Sequence, residues 1–352
     1  MDGHHKRGPR GPRPANRRSN RPKHRGGYWS NKRRQWRKRQ QGKMEAQQVG
    51  AKDEEELYEE VEEDQEDMTV SHLADVEYFE AYDQLEVHAL MLEDSQRLGS
   101  YLAAIRAHDL KDKLVLDVGA GSGILSMQAN GLQDKVTILT GRVEDITLPN
   151  KMDIIISEWM GFYLLHESML ESVLIARDRF LRAQGRMLPC SARIWAALVE
   201  AEDLRLDMAN YEDFLGLDLR LVGEQQLAAR TAEPRVEEVH GRRILAEPLV
   251  AVDLTDLHQL RVEGTRNLEA QLSFRTWRQG YAAGIAFWFD VGFGRDVILK
   301  TDPGSPPTHW KQTVVYFGAF PAVESGDVLE ANVVLKQSEE NPRQYNISVE
   351  TL

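Results

Sequence analysis

The 352-residue sequence predicts an α/β region followed by an antiparallel β region, and three observations carry that expectation. The stretch from Val76 to Arg106 is helical and mixed-polar, and leads into an apolar strand, Leu114–Val118, that ends in a glycine-rich turn. Met152-Asp153-Ile154-Ile155-Ile156 reads as a buried strand, and Ser168–Leu181 has apolar residues at helical spacing until Ala183-Gln184-Gly185 stops it. After Leu188-Pro189 the pattern changes to alternating strands, including Ile194–Val199, Gly284–Val291 and Thr313–Phe317. Val136–Leu139 reads as one further strand of the first region.

Two motifs stand at strand ends, where open α/β sheets bind their ligands. The first is Asp117-Val118-Gly119-Ala120-Gly121-Ser122-Gly123, in which three glycines permit a tight turn and a close backbone approach by a cofactor. Its G-x-G-x-G spacing differs from the G-x-G-x-x-G dinucleotide fingerprint. The second is Ser157-Glu158-Trp159-Met160-Gly161-Phe162-Tyr163-Leu164-Leu165-His166-Glu167, with two glutamates nine positions apart around a glycine. Two carboxylates raised from a strand end can grip a planar guanidinium through paired hydrogen bonds. Alone, such a pair is more often two solvated acids.

Together these motifs resemble type I protein arginine methyltransferases, and the resemblance runs from about Tyr78 to near the C-terminus. Tyr78-Phe79-Glu80-Ala81-Tyr82 matches the aromatic entry helix of that family, and Thr308-His309-Trp310 matches its T-H-W loop. The resemblance implies a class I methyltransferase, Rossmann-like domain followed by a β-barrel-like domain with a helical dimerisation arm. It implies S-adenosylmethionine across Gly119, Gly121 and Gly123, with His88, Met91, Arg97, Asp117, Val143 and Glu144 as further cofactor contacts. Glu158 and Glu167 become the guanidinium clamp, with Asp94 and His309 as the proton relay. Tyr78, Tyr82, Met169 and Trp310 become substrate contacts, and Met91 with Met169 would shape the methyl-acceptor pocket. The implied product is mono- and asymmetric dimethylarginine, on histones or Arg-Gly-rich proteins. Phe162 departs from the tyrosine that many relatives carry, so that hydroxyl is absent.

Residues 1–43 form a basic arm in which Asp2 is the only acid, and residues 44–74 an acidic linker. Neither has the spaced apolar residues needed to bury a core, so both are expected to be disordered. Arg-Gly pairs interleaved with Tyr28, Trp29 and Trp36 suit RNA or another polyanion, through phosphate attraction and stacking. Lys32-Arg33-Arg34 and Arg37-Lys38-Arg39 fit a nuclear localisation signal, so a nuclear or cytoplasmic setting is expected. A solvated tail lying against its acidic neighbour is the alternative. The single cysteine, Cys190, excludes an internal disulfide and a cysteine-based metal site. No apolar run reaches membrane-spanning length. The expected division is a cofactor domain over 75–188 and a β domain over 189–352. The dimerisation arm falls near 205–225, around Tyr211–Asp218.

One departure from the family is large. Ile124–Ala129 runs directly into Asn130-Gly131-Leu132-Gln133-Asp134-Lys135, so roughly two dozen family positions near 129–130 are absent, among them the acid that would hold the cofactor ribose. Either the loss disables cofactor binding and leaves a dimerising, peptide- or nucleic-acid-binding partner, or Val136–Leu139 moves into the vacated place beside the first strand. In the second case Glu144, about 20 residues past Gly123, substitutes as the ribose acid.

Overall fold

The computed structural model describes residues 74–76, 78, 79, 82, 85–121 and 135–352. The basic arm, the acidic linker up to residue 73, Gly123 and residues 124–129 lie outside the described residues.

Two helices lead in, α1 (Leu85–Glu93) and α2 (Ser95–Ala107). Asp94 separates them by capping α2, its Oδ1 accepting from the Arg97 amide at 2.9 Å. Next come β1 (Val115–Val118), β2 (Met152–Ser157), α3 (Met169–Phe180) and β3 (Leu181–Leu188). The three strands form a parallel sheet in the order β1-β2-β3, with Val115 opposite Ile154 and Val118 opposite Ser157. α3 is the crossover between β2 and β3. It buries Leu170, Val173, Leu174, Ala176 and Phe180, spaced at three and four residues so that one face meets the sheet. The same core holds Tyr101, Ala104 and Ile105 of α2 with Ile154, Ile155 and Ile156 of β2.

The remaining strands are β4 (Ser191–Glu200), β5 (Arg235–Glu237), β6 (Leu249–Leu254), β7 (Asn267–Arg275), β8 (Gly280–Gly292), β9 (Ile298–Lys300), β10 (Gln312–Tyr316), β11 (Ala322–Val323), β12 (Val328–Gln337) and β13 (Tyr345–Thr351). They make an antiparallel sheet ordered β5-β10-β8-β4-β6, with β9 and β11 on β8, and a second sheet ordered β13-β12-β7. The predicted strands over 194–199, 284–291 and 313–317 fall within β4, β8 and largely β10. β4 and β8 alternate in side-chain direction, and both faces are buried over much of their length, which their apolar runs require. Between β4 and β5 stands a helical hairpin, α4 (Glu202–Glu212) and α5 (Arg220–Thr231), at the position expected for the arm. Its tip exposes Phe214, Leu215, Leu217 and Leu221, with Leu215 at 90%.

One expectation fails. Residues 136–139 form no strand, and Ile138 is 83% exposed. Among the described strands β1 pairs with β2 alone, so nothing described has moved into the place beside it. Four apolar residues favour a strand only if a neighbour supplies the hydrogen-bond ladder and a buried face, and this run has neither.

Candidate functional site

β2 ends at Ser157, and the double-glutamate loop rises from it. Two anchors fix this strand end. The fully buried Tyr101 donates its hydroxyl to the Ser157 carbonyl at 2.7 Å, and Ser157 Oγ donates to the Val118 carbonyl at 2.8 Å, tying the ends of β1 and β2 together. The loop then folds tightly. A Cβ on Gly161 would stand 1.9 Å from the His166 carbonyl oxygen, so only glycine fits. Tyr163, Leu164, Glu167 and Ser168 all have positive φ, at 43°, 76°, 79° and 53°. Left-handed non-glycine residues cost of order 1–3 kcal/mol each and persist where their surroundings over-determine them.

Those surroundings include three residues beyond 300. Trp310 Nε1 donates to the Met160 carbonyl at 2.7 Å, Tyr163 donates its hydroxyl to the Tyr345 carbonyl at 2.9 Å, and the Glu167 amide donates to the Arg343 carbonyl at 2.7 Å. Burial pushes the pKa of His166 in the loop down to about 4, which keeps its ring neutral at ordinary pH. The ring stands 3.1 Å from the Tyr163 hydroxyl.

The two clamp carboxylates are held differently. Arg97 donates Nε and Nη2 to Glu158 Oε2, both at 2.9 Å, and Nη1 to the Met91 carbonyl at 3.0 Å. Glu158 is thus oriented by a largely buried, charge-assisted fork. Glu167 receives the Tyr82 hydroxyl on Oε2 at 2.8 Å. Burial raises its pKa to about 7; Glu158 pushes the same way, while the Tyr82 hydrogen bond and Arg343 oppose it. An entering guanidinium would supply the positive charge this carboxylate lacks.

Asp94 serves two masters. While Oδ1 caps α2, Oδ2 accepts from the His309 amide at 2.9 Å and lies 2.7 Å from His309 Nδ1. Burial works against its charge, yet the hydrogen bonds from His309 and from the Arg97 and His309 amides outweigh it and hold the carboxyl below its ordinary range. His309 Nδ1 then carries the proton toward Asp94, and Nε2 is the nitrogen left to accept one.

The glycine turn is left-handed at Gly119 (φ 73°) and Gly121 (φ 53°). A Cβ on Gly119 would meet the Met169 terminal methyl at 2.9 Å, and one on Gly121 would lie 3.9 Å from His88 Cε1. Met169 and His88 therefore flank the turn, and His88 Nε2 is 2.8 Å from the Tyr82 carbonyl. Asp117 sits within β1, paired with Ile156. These residues fit the amino-acid end of S-adenosylmethionine, since glycines admit the ligand and the five-donor Arg97 has N–H groups beyond those Glu158 and Met91 use.

The ribose end is another matter. Glu144 Oε1 accepts from Ser172 Oγ at 2.6 Å, and Oε2 lies 3.6 Å from Arg142, so the expected substitute acid is committed to α3 and its own turn. Val143 lies in the same turn, where its carbonyl accepts from Arg179 at 2.8 Å. Trp310 is 3% exposed, lies edge-on against Phe289 with ring centres 5.2 Å apart, and pins the double-glutamate loop through its indole nitrogen. Met91 contributes its main-chain carbonyl to Arg97. Tyr78 lies beside Tyr82, ring centres 4.9 Å apart. Tyr101, Ser157 and Arg343 receive no role in the sequence reading. Their partners stand 56, 39 and 176 positions away, so spacing does not expose them. Among the described residues no group of His, Cys, Asp and Glu could hold a metal ion.

A glycine turn on β1, two carboxylates on the β2 loop and a carboxylate–histidine pair across them define a methyltransferase-type α/β fold joined to a β-barrel-like region. Residues 190–351 match the family described as the arginine methyltransferase oligomerization subdomain. The probable protein arginine N-methyltransferase 6 of Arabidopsis thaliana is 34% identical over 344 residues, covering 78% of this chain and 78% of that protein. Protein arginine N-methyltransferase 1 of Saccharomyces cerevisiae is 37% identical over 311 residues, covering 77% and 86%. Both alignments are longer than the share of this chain they take in, so this chain lacks residues that the relatives carry within the aligned stretch. The chain belongs to the protein arginine N-methyltransferase family. Among solved structures it resembles the Trypanosoma brucei PRMT1 enzyme–prozyme heterotetrameric complex with AdoHcy, at TM-score 0.69 and 30% identity over 77% of this chain and 94% of that one. The crystal structure of PRMT6 with SAH is similar at TM-score 0.64 and 27% identity, over 76% of this chain and all of that one.

Proposed function

We propose that this chain binds arginine-containing protein segments in a type I clamp and methylates them from S-adenosylmethionine to mono- and asymmetric dimethylarginine. The observation that carries the reading is the pair of unlike carboxylates. Glu158 is oriented by Arg97, and Glu167 is buried with only a hydroxyl on its carboxylate. An arginine side chain between them satisfies both, and its charge offsets the burial that raises the Glu167 pKa. Charge drawn toward the clamped nitrogens leaves the remaining nitrogen the better nucleophile, so positioning supplies much of the rate. His309, held by Asp94, takes the departing proton on Nε2. S-adenosylmethionine, seated at Gly119 and Gly121, supplies the electrophilic methyl group.

Histones or Arg-Gly-rich proteins are the proposed substrates, a homodimer through the α4–α5 hairpin the proposed assembly, and nucleus or cytoplasm the proposed setting. The basic arm would hold RNA or another polyanion. The proposed division sets the cofactor domain at 75–188 and the β domain at 189–352. The decisive experiment incubates the purified chain with labelled S-adenosylmethionine and an Arg-Gly peptide, then hydrolyses the product. Asymmetric dimethylarginine is expected; symmetric dimethylarginine would overturn the type I reading. That β1 pairs with β2 alone among the described strands favours a second reading, a partner that keeps the clamp without methylating. Peptide binding with no measurable S-adenosylhomocysteine binding would select it.

A further inference from the structure

Glu167 sits in a closed ring of contacts that a lone arginine completes. Arg343 belongs to the connection between β12 and β13. Its carbonyl accepts from the Glu167 amide at 2.7 Å, and its Nη1 donates to the Glu167 carbonyl at 3.1 Å, so one residue brackets the left-handed peptide that aims the carboxylate. Its Nε and Nη2 reach Asp75 Oδ1 at 2.8 and 2.6 Å, while Arg142 takes Asp75 Oδ2 at 2.9 Å. The Arg343 guanidinium lies over the Tyr78 ring at 4.5 Å. Tyr78 packs on Tyr82, and Tyr82 donates to Glu167. The path thus runs from Arg343 through two aromatic rings and back to the residue whose backbone Arg343 holds. Both Arg343 and Asp75 are mostly buried, at 15% and 12% side-chain exposure, so the ion pair is only weakly screened.

We propose that Arg343 is a positioning residue: it latches the segment carrying Asp75, Tyr78 and Tyr82 onto the clamp and fixes the direction in which Glu167 meets a substrate guanidinium. This rests on the arginine-methyltransferase reading for its functional consequence, but the latch itself is testable without turnover. Lysine would keep the charge but not the fork that spans Asp75 and the Glu167 carbonyl, and it would stack less well on Tyr78. The groups facing Glu167 are the Tyr82 and Tyr78 hydroxyls, Glu158 across the clamp, and Arg343. Arg343 is the cation among them, and removing it moves the ionisation of Glu167 to higher pH.

The test uses the full chain with Arg343→Gln, Arg343→Lys and Asp75→Asn. Hydrogen exchange of residues 74–79 is measured first. It is expected to rise about tenfold in Arg343→Gln and in Asp75→Asn, as befits loss of a charge-assisted bond, with a smaller rise in Arg343→Lys. Binding of a single-arginine peptide is then followed across pH. Arg343→Gln is expected to weaken it about tenfold and to shift its onset to higher pH, with partial rescue by lysine. A merely structural contact would lower the melting temperature and leave the onset in place. Unchanged exchange, or unchanged affinity and onset in Arg343→Gln, overturns the proposal. If Arg343→Gln does not fold, Asp75→Asn opens the same latch without touching the β12–β13 connection, and unchanged exchange and affinity there overturn it equally. Should the unaltered chain bind no arginine peptide, the functional reading fails, while the exchange result still decides whether Arg343 holds the segment.

Discussion

The two halves of the proposed site are built to different standards. On the clamp side each functional group has a partner: Arg97 on Glu158, Tyr82 on Glu167, Asp94 on His309, with Trp310 and Arg343 bracing the loop from connections of the β region. On the cofactor side β1 has a single strand neighbour among the described residues, Val115 is half exposed at its start, and Glu144 is bonded elsewhere. The described support of the clamp comes from Tyr82, α2, β1, β2 and residues beyond 300. The proposed cofactor pocket would draw one wall from the shortened stretch.

The comparison breaks most sharply at the clamp. Glu158→Gln and Glu167→Gln are each expected to lower methyl transfer by about a thousandfold, in the range of losing a preorganised charge at a reacting group. Circular dichroism should remain that of the parent. Equal turnover in either variant would mean that the ordered half is ordered for some other reason.

Proton linkage gives the next largest effect. The Glu167 pKa is raised from 4.5 to about 7, so the empty folded chain holds a proton there that the unfolded chain has lost. That contribution is complete below pH 4.5 and gone above 7, roughly 3 kcal/mol in all. Urea unfolding at pH 5 and pH 8 should show this fall, and Glu167→Gln should flatten it. Arginine-peptide binding runs oppositely, tightening as pH rises through 7, and calorimetry in two buffers should detect a released proton.

The weak half can be repaired. Restoring a relative's strand–helix unit between Ala129 and Asn130 should tighten S-adenosylhomocysteine by about tenfold or more, the scale of a regained charge-assisted bond. Peptide affinity should not move. A matching gain in peptide affinity would show that the two halves are coupled after all.

The smallest effect is expected at Glu144. Because it serves Ser172, Glu144→Ala should cost about 1 kcal/mol of stability by thermal unfolding and leave cofactor affinity unchanged.

Legibility from sequence follows the same divide. The glycine turn and the double-glutamate loop are local in the chain, so spacing alone exposes them, and β4, β8 and α3 declare themselves by period. Trp310 stands out by its motif, but a motif does not reveal which way an indole points. Its nitrogen has a carbonyl to satisfy 150 positions back. Arg343 and Tyr101 carried no local signal, since their meaning lies in long-range hydrogen bonds. Val136–Leu139 misled because strand propensity presumes a neighbour, and the shortening leaves that neighbour out of the described sheet.

Asp94 shows how a folding residue can become impossible to replace. Asparagine, serine or threonine would start α2 almost as well, because each offers an oxygen to the Arg97 amide. None of them would also present a second, negatively charged oxygen to both the amide and the ring of His309. The four side chains that are interchangeable at an ordinary helix start therefore shrink to one. A drift in how α2 begins cannot occur without reaching the proposed proton acceptor more than two hundred residues away, so this helix start is held to the pace of change of the proposed active centre.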